Sequence, residues 1–268
     1  MPDGRQFDPR IKAATSFVHN TEPFDIRDEI GHGTHALGLL LKVATCAEVY
    51  IAKIASRDTL SRENYNDIAK IGLFHTDIIS MSFGIREYHE PMKAAISNAL
   101  YNQTLIFAAA SNDGGNSGRA FPATYPGVFC IHSTDGNGNP SNFNPVAHAN
   151  DNNFSLLGEY VYSHWPIGLN GHNEAVNALS GTSAATPIAA GLAASVMAFV
   201  RQQEQGLGGS ETLGPWLKDT HSMAAVLKAM VRRRDRYDYI TPQELLDTGS
   251  SREHVYDRIK EIRRHMYD

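Results

Sequence analysis

The chain has 268 residues, 42% hydrophobic and 20% charged, enough apolar content for a sizeable core and too much for a disordered or low-complexity polypeptide. A formal net charge of −5 offers no whole-surface attraction for nucleic acid, and two cysteines, Cys46 and Cys130, are too few for a disulfide-stapled scaffold. Both read as small buried hydrophobes of a reducing compartment, with a single bridge between them left open. The N-terminus is polar and no uncharged apolar stretch of membrane-spanning length is expected, so the reading is a cytoplasmic protein, or a secreted one if its N-terminus is incomplete.

Short apolar runs alternate with helical patterns, which predicts an α/β fold with a mostly parallel sheet. In chain order, residues 15–18 read as a strand, 32–43 as a buried helix with Gly33 and Gly38 permitting close approach, and 49–54 as a second strand. A short helix interrupted by Gly72 follows over 64–73, then a strand over 77–83. Next comes an amphipathic helix over 90–100 with Ala94, Ala95, Ile96 and Leu100 inward. Strands are predicted over 105–110 and 127–131, and the Asn- and Gly-rich segment 135–153 reads as a flexible surface loop.

A tight turn at Gly181-Thr182 leads into a small-residue helix with Pro187 in its first turn, and 202–209 reads as a linker. Beyond it the pattern is helical: 216–232 with Met223, Val226, Leu227 and Met230 on one face, a capped start at 241–246, and 251–266. Domain boundaries are set at 1–205 for the main body and 206–268 for a helical C-terminal extension. The run Arg232-Arg233-Arg234-Asp235-Arg236 is read as a solvated helix end, with an RNA or partner contact as the sharper alternative.

Three motifs carry chemistry. Ser180-Gly181-Thr182-Ser183-Ala184-Ala185-Thr186-Pro187 puts Ser183 at a helix N-terminus, where unpaired N–H groups and the helix dipole favour the charge that develops when a serine oxygen attacks a carbonyl. Alone, it could equally be a capped core helix. Gly31-His32-Gly33-Thr34-His35 supplies an imidazole and Ser111-Asn112-Asp113-Gly114 an amide. The spacing of His32 and His35 could hold a metal, but no carboxylate or third ligand stands at a matching distance, and no Asp-rich calcium loop is evident; no metal and no cofactor is expected.

In the order His, Asn, Ser, these motifs resemble the subtilisin-like serine protease family over residues 10–203. The resemblance implies a three-layer fold with a mostly parallel sheet, His32 as general base, Asn112 as oxyanion donor and Ser183 as nucleophile. It also implies that Ser82-Phe83-Gly84 pairs with a polypeptide substrate and that Ala108-Ala109-Ala110 lines the opposite wall. Three departures stand out. Ala36-Leu37 replaces Val and a small residue, so Leu37 is expected to crowd its helix, and Ser111 replaces Gly.

The third departure concerns the triad carboxylate. In the family it closes an apolar strand as Asp-Ser-Gly or Asp-Thr-Gly, and no such run occurs in residues 1–31. Asp3, Asp8, Asp25 and Asp28 each read as a solvated loop carboxylate. The resemblance places the strand between 49–54 and 77–83, so the chain is expected to lack its first strand and to leave two strand edges there, which a partner chain could complete. Two functions follow: a serine endopeptidase, or a catalytically impaired pseudoprotease or partial domain that binds peptide or a partner chain.

Overall fold

The structure is a computed structural model that describes residues 8–18, 21–57, 60, 65, 76–207, 212–247 and 249–267. The helix expected over 64–73 lies outside the described residues apart from Tyr65, as does Asp3.

At the centre runs the helix that follows the serine motif, α3 (Thr182–Leu207). It packs on strands β3 (Ile78–Met81), β4 (Leu105–Ala109), β5 (Val128–Thr134) and β6 (Phe154–Leu157). These four are mutually parallel, in register Met81 to Ala108, Ala109 to Ile131 and Thr134 to Leu157. β4 is Leu-Ile-Phe-Ala-Ala with every residue buried, the continuous apolar run of a strand covered on both faces. Phe107 of β4 stacks on Phe129 of β5 with ring centres 4.6 Å apart, beneath Ala185, Ala189, Ala190 and Ala193 of α3. Small residues on the helix let it lie close to these large rings.

α3 also packs on α1 (His32–Val43). At the crossing a Cβ on Gly191 would stand 3.0 Å from Val43 Cβ and 3.2 Å from Leu40 O, so glycine sets how closely the helices approach. On its other side α1 meets the antiparallel hairpin β7 (Val161–His164) and β8 (Val176–Leu179), where a Cβ on Gly38 would run into Ser163 and His164. Leu37 points into a cleft and does not crowd the helix core.

Several sequence expectations shift. The first strand, β1, is Ile11–Ser16, earlier than 15–18. In α2 (Glu90–Tyr101) the buried residues are Met92, Ile96 and Ala99, while Ala94 is exposed. Cys46 is exposed, not buried; Cys130 is buried, and both are free thiols. Segment 135–153 is tied down: Asp135 Oδ1 accepts from the amides of Asn137 at 2.8 Å and Asn139 at 2.9 Å, and buried Asn144 bonds both ways with the Ser133 backbone.

The expected linker is helical as far as Leu207, and Pro187 lies inside α3, in its second turn. Residues 182–200 carry no charge, contrary to the expectation that no such stretch reaches membrane-spanning length. The apolarity of α3 is used in packing, since two-thirds of that window (67%) is buried inside the protein.

The C-terminal extension carries helices α4 (Gly214–Leu217), α5 (Thr220–Lys228) and α6 (Arg252–His265), and it adds a hairpin to the main sheet. β10 (Tyr237–Ile240) pairs parallel with β6, and β9 (Val231–Arg234) pairs antiparallel with β10, giving the order β3-β4-β5-β6-β10-β9. The helix expected over 216–232 is therefore broken at Lys228, and the arginine run lies on an edge strand instead of a helix end. The cause is a two-residue loop at Asp235-Arg236, with Asp235 at φ 50°, the left-handed geometry of tight hairpins, which sets Tyr237 opposite Arg234. The helix start expected at 241–246 is one 3₁₀ turn, Pro242–Glu244. Leu217, Met223, Leu227, Met230, Ile240 and Ile259 of the extension share the core of Phe107 and Phe129.

β1 and β2 (Val49–Lys53) form a separate parallel pair. Among the described residues, neither β2 nor β3 has a ladder partner on the side where residues of both strands line one cleft of about 2790 Å³.

Candidate active site

His32, Asn112 and Ser183 all line that cleft. His32 and Ser183 stand at helix starts and Asn112 in the loop that leaves β4, the edge at which open α/β sheets bind ligands.

His32 is the first residue of α1. Gly31 before it has φ 91°, and a Cβ there would run into the Trp165 indole, so glycine is required on both counts. The turn is held by Asp28. Its Oδ1 accepts from the amides of Gly31 at 2.7 Å and Ile30 at 3.0 Å, and its Oδ2 accepts from the amide and the hydroxyl of Thr34, both at 2.7 Å. Burial raises the Asp28 pKa, but the bonds from Thr34, Gly31 and Ile30 outweigh it and hold the carboxyl below the usual range.

Asp28 is thus a half-buried cap, not the solvated carboxylate expected. Asp8 grips Arg10 with both oxygens, at 2.9 and 2.6 Å, which lowers its pKa to about 2, and Asp25 pairs with Arg27 at 3.1 Å. His35, buried, is committed through Nε2 to the Val161 carbonyl at 2.7 Å and ties α1 to β7. Burial lowers its pKa, as expected of a neutral structural imidazole.

Ser183 is the second residue of α3. Thr182, just before it, is buried and donates to Asn112 Oδ1 from its amide at 2.8 Å and its hydroxyl at 3.1 Å. These bonds fix the orientation of the Asn112 amide and turn its Nδ2 toward the serine. Asn112 Nδ2 and Ser183 Oγ both lie 3.0 Å from one point, the position a Cβ on Gly181 would take. Glycine at 181 keeps open the space on which hydroxyl and amide converge.

Ser111 holds φ 135°, a conformation that favours glycine. Its hydroxyl offsets part of the strain, donating to Asp113 Oδ2 at 3.1 Å and accepting from the Asp113 amide at 3.2 Å. We expect Ser111→Gly to raise stability by about 1 kcal/mol, seen as a higher urea midpoint with an unchanged slope. A lower midpoint would mean that the two hydrogen bonds outweigh the strain.

Of the predicted substrate-binding residues, Ser82, Phe83 and Gly84 continue from β3 along the cleft, and a Cβ on Gly84 would meet Ala120. Ala109 faces the cleft, whereas Ala108 and Ala110 are fully buried beneath it. The sequence reading missed Asp28 and Trp165. A carboxylate four residues ahead of a helix start was a legible capping signal for the first; nothing local marked the second.

The subtilase family model matches residues 10–253. The chain belongs to the subtilase family. Subtilisin-like protease het-Q2 of Podospora anserina is 31% identical over 218 residues, 73% of this chain and 59% of its own length. Subtilisin BL of Lederbergia lenta is 30% identical over 202 residues, 70% of each. The chain spans about half the length of some curated relatives, such as 49% of Subtilisin-like protease 2 of Pseudogymnoascus destructans. Among solved structures, the prenylagaramide maturation protease PagA superposes with a TM-score of 0.64 at 21% identity, covering 94% of both chains. A mutant of the protease domain of PatA gives 0.67 at 19%, covering 93% of this chain and 88% of that one. The subtilase fold is therefore present here, with the His, Asn and Ser motifs on α1, the loop after β4 and the start of α3.

Proposed function

We propose that the chain is a serine endopeptidase in which Ser183 is the nucleophile, His32 the general base and Asn112 the oxyanion donor. The observation that supports it best is the convergence of Asn112 Nδ2 and Ser183 Oγ on one point at the N-terminus of a 26-residue helix. Ser183 Oγ bonds to the scissile carbonyl carbon as its proton passes to His32. The carbonyl oxygen, now an anion, accepts from Asn112 Nδ2 beside the positive end of the α3 dipole. Collapse breaks the C–N bond, the leaving amine takes the proton from His32, and water repeats the sequence to free the acyl group. An extended polypeptide lying along Ser82-Phe83-Gly84 would be held by its backbone, with little demand on its sequence.

The test is a fluorophosphonate probe on the purified protein, with the modified residue mapped by peptide mass spectrometry. Label on Ser183 supports the enzyme; label elsewhere, or none, removes it. Asn112→Ala is expected to slow labelling roughly 10²–10³-fold, the loss seen when subtilisin itself is deprived of one such donor, and also to lower the unfolding midpoint, since the buried Thr182 amide loses its acceptor. A smaller loss would move the oxyanion site away from Asn112.

The divided sheet favours a second reading. Here the chain binds a partner polypeptide by adding a strand between β2 and β3, with turnover weak or absent until the strand is in place. Amide exchange along both strands distinguishes the two: in this second reading it is fast in the isolated chain and slows only when the partner is bound.

A further inference from the structure

We infer that Asp28 is a positioning residue for His32, fixing the turn that carries the imidazole and, by its charge, keeping that imidazole basic at the positive end of a helix. The inference rests on the reading of His32 as general base. His32 is the first residue of α1, where the helix dipole disfavours the imidazolium form that a base must pass through. A carboxylate on the same side offsets that field. Asp28 reaches around His32 from both directions, through the amides of Ile30 and Gly31 before it and through the amide and hydroxyl of Thr34 after it. Its Oδ2 lies 3.5 Å from where a Cβ on Gly33, the next residue, would stand.

Among the described residues, several other charged or titratable groups near the start of α1 are engaged elsewhere. On the incoming loop Asp25 is paired with Arg27, and Glu29 lies 3.4 Å from Lys53, which reaches in from β2. His35, one turn along α1, is held neutral by burial. His164 lies against Gly38 on the β7 side, further along the helix. All four donors to Asp28 are neutral groups, so its negative charge is not cancelled by the bonds that hold it.

The test follows the pH midpoint of two signals: fluorophosphonate labelling of Ser183 and the ring resonances of His32 in the NMR spectrum. Asp28→Asn and Asp28→Ser both remove the charge, and the serine keeps a capping hydroxyl so that the helix start can still form. Both variants are expected to lower the His32 midpoint by about half to one pH unit, and Asp28→Glu to leave it near the native value. A purely structural cap would change stability and labelling amplitude with the midpoint unmoved, and that result in both neutral variants overturns the inference. The NMR titration reads the imidazole whether or not the probe reacts. An unlabelled native chain would therefore count against His32 as base while leaving the effect of Asp28 on the ring measurable.

Discussion

Ser183→Ala will remove fluorophosphonate labelling outright, and His32→Ala will reduce peptide hydrolysis by a factor on the order of 10², the share of the roughly 10⁶-fold loss in subtilisin that remains once the roughly 3 × 10⁴-fold share of the triad carboxylate is set aside. The reason lies in how the two act. A serine hydroxyl is a poor nucleophile until a base takes its proton, and the base has nothing to do without the hydroxyl. The double variant should therefore be no slower than the worse single one. The proposed oxyanion donor remains in all three, since Asn112 is oriented by Thr182, which none of the substitutions touches. Residual hydrolysis above the uncatalysed rate would be its contribution. Additive losses would mean that the two side chains work on separate steps, and the shared mechanism would fall.

The second large effect is loss of stability in acid, centred on His132. This residue of β5 is fully buried, opposite Ser155 of β6, with Nδ1 donating to the Phe154 carbonyl at 3.2 Å and the ring edge-on to Tyr237. Nε2 has no partner among the described residues. Burial, reinforced by the nearby Arg119 guanidinium, lowers the His132 pKa from 6.5 to about 3. In the unfolded chain the ring binds a proton near pH 6.5, so between these values the unfolded state holds more protons. Stability is then complete above pH 6.5 and falls as pH drops toward 3, at up to about 1.4 kcal/mol per pH unit. The total, several kcal/mol, is a large share of what a single domain possesses. His132→Phe keeps a ring of similar size and should flatten this part of the profile in urea unfolding at pH 7, 6, 5 and 4. Parallel profiles for the two proteins would assign the acid sensitivity to other groups.

Much of the fold was legible because its signals are local. Residues 32–43 form a helix with the predicted bounds, since the apolar spacing and Gly31 fix its face and its start. Strand β4 follows from an unbroken apolar run, as does the first half of β5, which continues past the predicted 127–131 through His132, Ser133 and Thr134. The errors fall where a distant partner decides. Val231–Arg234 continues a helical pattern in sequence, yet β10, docked on β6, offers it a strand to pair with, and long-range pairing overrides local preference. Cys46 was misjudged because it lies in the turn between α1 and β2, not at the start of a strand. In the candidate site, the motifs located His32, Asn112 and Ser183, but the bonds from Thr182 that aim the Asn112 amide join residues seventy positions apart. No pattern along the chain encodes them.

The outermost strand has a bearing on how this protein meets others of its kind. β9 ends the sheet with Arg232, Arg233 and Arg234, and among the described residues the first two find carboxylates, in Glu244 and Asp238. Two copies approaching rim to rim would set like cations against each other, so end-to-end growth of the sheet into fibres is opposed by electrostatic repulsion. β3 presents Ile78, Ile79, Ser80 and Met81, with no arginine or lysine on the strand. Under the second reading proposed above, uptake of a partner strand would therefore fall between β2 and β3, on the cleft that Ser183 lines, and not at β9.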